Sequence, residues 1–404
     1  MSMILTVKCV FWFCTALVAT AYIGYPASLV VLRSFRRRRP VGKVTPSVTL
    51  LISAYNEAAI IREKIDNSLE LDYPSQRLEI VVVSDASDDG TDEIVAEYAD
   101  RGVVLFRQQQ RRGKSAGLTE SLPLANGEII VFSDANSMYA KDAIRKLVRH
   151  FDDERVGYVV GHQGYFDGDG AAAVSESLYW RYETWIKELE SRVGSVVGGD
   201  GAIFAIRSEL FEPLRDDDIN DFIIPLRIVV RGFRGVFDRE AVCYEHTADD
   251  FRGEFRRKTR IVSRSFRAVL RVPQALNPLR VGLFAYQLAA HKVLRWLVPW
   301  FLLALLATNI VLARPGQTVY QVTLGLQSAF YGLATLRLVP GIKHWKPVYI
   351  AYYFCLVNAA SALGTLSFAL GRRFVTWTPQ RTPQNRLYPT HSRHEAIGSR
   401  DVEG

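Results

Sequence analysis

The residues best suited to chemistry in this 404-residue chain are oxygen donors that follow hydrophobic runs. Asp134-Ala135-Asn136 comes directly after Ile129 to Ser133. A carboxylate and a carboxamide one residue apart can offer two hard oxygens to Mg2+ or Mn2+, which in turn would hold phosphate oxygens. Taken alone, the same tripeptide also reads as a helix N-cap in an ordinary loop. Asp85 lies in a second acidic turn, Ser84 to Thr91, and Tyr55-Asn56-Glu57 lies in a third polar one. Four aspartates crowd Asp216-Asp217-Asp218-Ile219-Asn220-Asp221, some reading as solvated surface and one as a candidate general base. Val197 to Ala202 is glycine-rich and allows close backbone approach around Asp200. On the basic side, Lys114 in Gln110-Arg111-Arg112-Gly113-Lys114-Ser115 can meet a phosphate or simply face solvent. Arg257 and Arg260, three apart on a predicted helix, suit a diphosphate with fork-shaped donors. No G-x-x-x-x-G-K-[ST] loop occurs, which argues against a P-loop NTPase.

Such residues need a scaffold that gathers strand ends. Strands are predicted at 48–52, 79–83, 103–106 and 129–133, with helices at about 58–70, from 91 through 98, at 115–124 and at 141–151. Strands alternating with helices imply a mostly parallel sheet covered on both faces, and continuous apolar strands agree with burial on both sides. In such a sheet the turns after Ala54, Ser84 and Ser133 share one edge and line one crevice. Three converging acidic or polar turns favour a nucleotide site, with a divalent metal offsetting the repulsion between carboxylates and phosphate. Beyond residue 151 the pattern is less regular. Tyr179 to Trp185 presents aromatic faces that suit either sugar rings or packing on the sheet, and His246 reads as a satisfied edge residue.

Hydropathy averages near zero, but the apolar residues are concentrated. Runs at 4–33, 294–313, 318–338 and 348–370 are each long enough for the ~20 residues that span a bilayer. The first ends in Arg33, with Arg36 to Arg39 close behind, which reads as a spanning helix with a stop-transfer flank rather than a signal peptide. By the positive-inside rule the polar block that follows is cytoplasmic. The net charge of +8 sits mainly in that cluster and in 252–271, beside apolar segments, so anionic lipids rather than nucleic acid are the expected partners. The stretch 251–270 has the pattern of an interfacial amphipathic helix. Four unpaired-looking cysteines fit a reducing compartment. The expected organisation is a membrane helix and basic flank at 1–40, a cytoplasmic domain at 45–250, interface helices at 251–292, membrane helices at 293–371 and a polar tail at 372–404. One span before the domain and three after it would put the tail outside the cell, whereas Arg372-Arg373 argue for a cytoplasmic tail. Either one apolar run is interfacial or re-entrant, or a further crossing lies in 279–293.

In order, SAYNE, VSDASDDGT, RRGKSAGL, SDAN, GGDGA, ND and RRKTR followed by terminal spans resemble the membrane-embedded family 2 glycosyltransferases, such as the cellulose, hyaluronan, chitin-oligosaccharide and poly-N-acetylglucosamine synthases. The resemblance covers about 45–380. It implies a GT-A-like nucleotide-diphospho-sugar transferase domain and an inverting transfer, from a nucleotide sugar expected to be UDP-linked, to a growing saccharide at the inner membrane. Tyr55, Glu57 and Asp85 would contact base and ribose, and Lys114 the uracil or phosphates. Asp134 and Asn136 would hold the metal, Gly199 and Asp200 would sit by the acceptor, Asp221 would be the base, and Arg257 and Arg260 would take the diphosphate. Thr376-Trp377-Thr378-Pro379 resembles the family's short post-span motif. The pattern is broken where Asn136 stands for a second aspartate, Arg257 for glutamine and Ile261 for the tryptophan of processive enzymes. That last change brings forward single transfer to a polyprenyl phosphate or glycolipid; a non-catalytic membrane scaffold is the third reading. Donor, saccharide or lipid acceptor and membrane lipids are the expected partners, and export or assembly partners are compatible with the resemblance.

Overall fold

A computed structural model describes residues 2–35, 41–165, 171–245, 251–339, 341–342 and 345–376. Arg36 to Arg39, His246, Trp377 to Pro379 and the rest of the tail lie outside the described residues. The chain opens with helices α1 (Ser2–Ala19) and α2 (Tyr25–Arg33), joined by a π-helical turn at Thr20–Gly24. Then β1 (Val48–Ala54), α3 (Ile61–Leu69), β2 (Leu78–Ser84), α4 (Thr91–Ala96), β3 (Val103–Arg107), α5 (Lys114–Glu120) and β4 (Ile129–Asp134) alternate. The domain closes with β5 (Met138–Tyr139), α6 (Ala143–Val148), β6 (Val156–Tyr165), α7 (Ala171–Val193), β7 (Phe204–Arg207), α8 (Asn220–Val230) and β8 (Arg234–Glu245).

The eight strands lie in the order β3-β2-β1-β4-β7-β6-β8-β5. β3, β2, β1 and β4 are parallel, as are β6 and β8, while β7 and β5 run against their neighbours. Every residue of β1 is buried. Leu50 and Ile52 point into one apolar layer and Leu51 into the other, so a strand that reads as unbroken hydrophobicity supplies two cores at once. Strand order reverses between β1 and β4, and the crevice outside the carboxyl ends of such strands is where open α/β sheets take ligands. β6 and β8, the long pair in the irregular second half, pair with two register shifts. Gly161 sits at one of them, where a Cβ would come 2.6 Å from the Ala241 carbonyl oxygen. Close approach there put glycines and polar residues into β6 and hid its strand pattern.

After the domain come α9 (Phe251–Arg271), α10 (Pro278–Val281), α11 (Leu283–Leu288), α12 (Leu294–Leu312), α13 (Thr318–Thr335) and α14 (Lys346–Ala369). A π-helical turn at Ala289–Val293 makes α11 and α12 one helix, Leu283–Leu312. The boundary expected at 292/293 falls inside it, and residues 283–293 hold no separate crossing. Among the described residues, three helices are long and apolar enough to span a bilayer: Met3–Arg33, Leu283–Leu312 and Lys346–Ala369. α13 is less apolar. α1 packs on α12 through Phe11 and Leu312, and Arg295 Nε donates to the Ala21 carbonyl at 3.3 Å.

Candidate active site

The turns after β1 and β2 are sewn to each other. Asn56 Nδ2 donates to Asp88 Oδ1 at 2.7 Å and Asp88 N donates back to Asn56 Oδ1 at 3.0 Å. Glu57 N donates to Thr91 Oγ1 at 2.8 Å, and Ala58 N to Asp89 Oδ2 at 3.1 Å. Asn56 and Ala86 both take positive φ, 54° and 57°, an unfavourable conformation for side-chain-bearing residues that the surrounding bonds hold in place. Asp88, Asp89 and Thr91 are therefore structural.

Asp85 remains, 1% exposed, at the carboxyl end of β2. Its Oδ1 accepts from Gln108 Nε2 at 2.8 Å, Gly113 N at 2.8 Å and Arg112 N at 2.9 Å. Its Oδ2 has no hydrogen-bond partner among the described residues. Burial pushes the carboxyl up, against the pull of those amides and of Arg111. The Arg111 guanidinium lies 3.8 Å over the Tyr55 ring and its Nε 4.0 Å from Asp85 Oδ2. A flat cation, an aromatic face and an unsatisfied acceptor thus sit together, the groups that stack on and hydrogen-bond a nucleobase.

Asp134 ends β4 beside Ser53 of β1. Its Oδ1 accepts from Lys114 Nζ at 2.5 Å. Gly201 marks the centre of the site: a Cβ there would lie 3.4 Å from Asp221 Oδ2, 3.5 Å from Lys114 Nζ and 3.7 Å from Asp134 Oδ2. Residues from β4, the start of α5, the β7 approach and the start of α8, separated by up to about a hundred positions, meet at one point. Asp221 Oδ1 is buried and has no hydrogen-bond partner among the described residues. Burial first, then the charges of Asp200 and Asp134, push the Asp221 carboxyl up, against Lys114. The Asp221 carbonyl accepts from Gly199 N, so the glycine loop grips the turn that presents the carboxylate. Asp200 points to Lys187, 3.2 Å away.

The rest of the acidic run is spent on packing. Asp216 pairs with Arg112, Asp217 with Arg271 at 2.8 Å, and Asp218 with Arg271 and Arg227. The two Arg271 pairs clamp the end of α9 to the domain. α9 sets Arg260 and Arg264 near the carboxylates: burial holds both guanidiniums below their usual range, Arg257 further lowers Arg260 and Arg260 lowers Arg264, and Asp221 pulls both back up. Arg264 also donates to the carbonyls of Asp217 and Asp218. Arg257 is instead held by Glu254, at 2.7 and 3.1 Å. Of the expected Arg257 and Arg260 pair, Arg260 thus feels the Asp221 charge, as does Arg264, while Arg257 is paired with Glu254.

Two further groups escaped the sequence. Lys64, fully buried in α3, donates to the Ser137 carbonyl in the turn that carries Asp134 and the half-buried Asn136. Burial pulls its ammonium down to about 7. Glu245 at the end of β8 accepts from Ser137 Oγ and from Gln163 Nε2 at 2.6 Å, and burial followed by the Asp134 charge pushes it up to about 7. Nothing local marks either residue; only the fold brings them behind Asp134.

Behind the glycine loop, Glu190 accepts from Val197 N at 2.9 Å, from Tyr25 of α2 and from His291 Nδ1, 2.6 Å away. Helices predicted for the membrane are thereby tied to the loop that grips Asp221.

Among the described residues, no group of three His, Cys, Asp or Glu side chains is disposed to hold a metal unaided. The donor set still fits a hard divalent ion. The charges of Asp134 and Asp200 push both Asp221 and Glu245 up, an excess of negative charge that a cation relieves, and Asp134 with Asn136 would leave positions for phosphate oxygens.

Residues 49–215 match the family described as glycosyl transferase family 2. The chain is 36% identical over 145 residues to a beta-monoglucosyldiacylglycerol synthase of Nostoc sp., covering 35% of this chain and 31% of that protein. It is 24% identical over 203 residues to a poly-beta-1,6-N-acetyl-D-glucosamine synthase of Staphylococcus aureus, covering 48% and 49%. The aligned part spans half or less of the length of these curated relatives. Among solved structures, a mannosyltransferase of Pyrobaculum calidifontis in complex with GDP-Man and Mn2+ superposes with a TM-score of 0.67 at 24% identity, over 90% of this chain and all of that one. At that identity the likeness is one of fold, and the fold is GT-A-like.

Proposed function

Taking residues 49–215 as a glycosyl transferase family 2 domain, we propose that this protein moves a sugar from a nucleotide sugar to an acceptor hydroxyl at the membrane surface, with inversion. The observation that carries the reading is the meeting of Asp134, Lys114 and Asp221 around Gly201. Asp221 takes the proton of the acceptor hydroxyl as that oxygen bonds to the anomeric carbon. The bond from that carbon to the diphosphate breaks on the opposite face, and the nucleoside diphosphate leaves. Base assistance of this kind contributes roughly 10²–10⁴-fold. The push upward on Asp221 makes it a stronger base than a solvated carboxylate. One displacement with one carboxylate inverts the anomeric centre.

The nucleobase stacks by Tyr55 and Arg111 and bonds Asp85 Oδ2, with Glu57 by the ribose; Gly199 and Asp200 line the acceptor side. Lys114, Arg260 and Arg264 meet the diphosphate as it gathers charge. Asp134 and Asn136 would hold Mg2+ or Mn2+, which when bound neutralises the same charge. In this reading the catalytic domain at 45–250 faces the cytoplasm and the helices on either side of it hold it at the inner membrane.

For the acceptor, a lipid-borne hydroxyl and single transfer fit best. α9 presents Arg260 and Arg264 to the site on one side and packs Thr259 and Val262 against Gly364 of α14 on the other, so the site borders a membrane helix. Ile261 replaces the tryptophan of processive enzymes, and the Nostoc relative is named as a glycolipid synthase. Elongation of a saccharide, the first expectation from the motifs, is the second reading, favoured by the Staphylococcus relative's name. Purified membranes incubated with a panel of labelled nucleotide sugars, UDP-linked ones first, followed by sizing of the product, test both. A single labelled lipid is expected; a ladder of oligomers favours elongation, and no transfer from any donor overturns the enzyme.

A further inference from the structure

α14 has the length and apolarity of a crossing helix, yet it runs along α9, and where it meets the other apolar helices it touches their domain-side turns: Phe354 lies 5.5 Å from Tyr22 and 5.4 Å from Phe330, and Trp300 Nε1 donates to Thr365 Oγ1 at 3.0 Å. At its start, the Tyr349 and Tyr352 rings lie 5.8 and 5.4 Å from Phe251. Midway, a Cβ on Gly364 would lie 2.8 Å from Val262 Cβ and 2.9 Å from the Thr259 carbonyl oxygen. At its end, Phe368 and Phe266 ring centroids are 5.1 Å apart, and Arg267 Nη2 donates to the Arg372 carbonyl at 2.9 Å. The contacts advance in the same direction on both helices. The end of α9 is itself anchored to the domain through Arg264 and Arg271, and near the start of α14 the Tyr353 ring lies 5.5 Å from Tyr179 of α7. Both ends of α14 therefore lie against the domain, whereas a crossing helix has its ends on opposite sides of a core about 30 Å thick. Past α14, the chain returns to the crevice: a Cβ on Gly113 would come 2.7 Å from the Val375 carbonyl oxygen.

α13 behaves in the opposite way. It starts at the far end of the helix pair, where Tyr320 packs on Phe11 with centroids 5.1 Å apart. Phe11 is 14 residues before the Tyr25 that bonds Glu190 of the domain, about 21 Å of helix. α13 then runs back along α12, Thr323 with Asn309 at 2.9 Å and Gln327 Nε2 with the Leu302 carbonyl at 3.3 Å. It arrives at the domain, where the Arg337 guanidinium lies 5.0 Å over the Phe251 ring. Its polar side chains pair with α12, which is how a less apolar helix can cross.

We propose that α14 does not cross the bilayer but lies with α9 in its domain-side leaflet, so that the chain crosses three times, in α1–α2, α11–α12 and α13. The partner of this surface is the lipid bilayer. Ile350, Leu363 and Leu366 of α14 and Leu370 just past it are exposed, and exposed arginines stand on the same helix pair, Arg252 and Arg256 on α9 and Arg372 and Arg373 after α14, apolar surface with cations for anionic headgroups. Three crossings return residues 371–376 to the side of the domain, which removes the conflict between four apolar runs and a basic, domain-side tail.

The proposal is independent of the enzymatic reading and is tested by sided labelling. Single cysteines at exposed positions, Glu93→Cys on the domain, Gln317→Cys between α12 and α13, and Arg373→Cys after α14, are introduced into the full chain. They are probed with a membrane-impermeant maleimide in sealed vesicles of known orientation, with the unsubstituted chain as background for its four native cysteines. Only variants that keep the melting temperature of the parent in detergent are scored, and a reporter fused after residue 404 supplies a second reading of the tail. Residue 373 is expected to label from the same side as residue 93, and residue 317 only from the other. Labelling of 373 from the side opposite 93, or of 317 from the same side as 93, overturns the proposal.

Discussion

Lys114 Nζ lies 2.5 Å from Asp134 Oδ1, so the Lys114 ammonium neutralises the carboxylate best placed to take a divalent cation. Cation and ammonium compete for the same oxygen. Asp134→Ala is expected to abolish both transfer and its dependence on added Mg2+ or Mn2+. Lys114→Met is expected to keep metal dependence, bind the metal more tightly, and lose on the order of 10²-fold in kcat/KM through the missing phosphate partner. Metal titrations of donor transfer in membranes check both; metal-independent transfer by the parent would dismiss the pairing as functional.

Asp221 carries the pH dependence. As a base it must be ionised, so kcat/KM is expected to fall as pH drops through its raised pKa, with the acid limb above the ordinary carboxylate range near 3.8. Asp221→Asn is expected to lose roughly 10²–10⁴-fold in transfer while nucleotide binding by calorimetry persists. Stability moves the other way. A folded-state pKa above the unfolded one means that the native state holds its proton more tightly. The contribution is then complete below the unfolded pKa and declines as pH rises through the folded pKa. Asp221→Asn should therefore melt higher than the parent near neutral pH, by on the order of a few °C, and the gap should close toward pH 4. Equal melting temperatures at neutral pH would refute the strained carboxylate.

Gly201 tests the convergence by volume. A Cβ there sits in ordinary contact with Asp221, Lys114 and Asp134, so Gly201→Ala should fold with the parent's melting temperature. The methyl group occupies the space between base and metal-binding carboxylate, and KM for the donor is expected to rise by about tenfold or more. An unchanged KM would move the donor elsewhere.

The arginines of α9 divide in an order the motif does not suggest. Arg257 is committed to Glu254 and Arg260 to the carboxylate cluster. Arg260→Ala is expected to lose roughly 10²–10³-fold in kcat, whereas Arg257→Ala should act mainly through packing and cost less than tenfold. Single-turnover rates at saturating donor separate the two; equal losses would restore the Arg257 and Arg260 pair.

The crevice edge was legible in the residues. Unbroken apolar strands at β1, β2 and β4 have to be buried on both faces, and parallel strands so buried put Tyr55, Asp85 and Asp134 on one rim. Their motif order already pointed to a transferase domain. Which aspartate of the 216–221 run is available, however, depends on where Arg112, Arg227 and Arg271 arrive, and those come from the loop before α5, from α8 and from α9. The same holds for Lys64 and Glu245, which support the Asp134 turn from α3 and β8 without any local signature. Apolar length along the chain established that helices at both ends suit a membrane, because hydropathy is a property of composition. Whether a given apolar helix crosses or lies flat depends on what its sides and both its ends touch, and for α14 that is α9 from Phe251 to Arg267 and the domain-side turns of α12 and α13. Local residue types set strands, turns and apolar runs through short-range sterics and solvation; partner choice among like charges and the placement of helices are long-range, and folding alone assigned them.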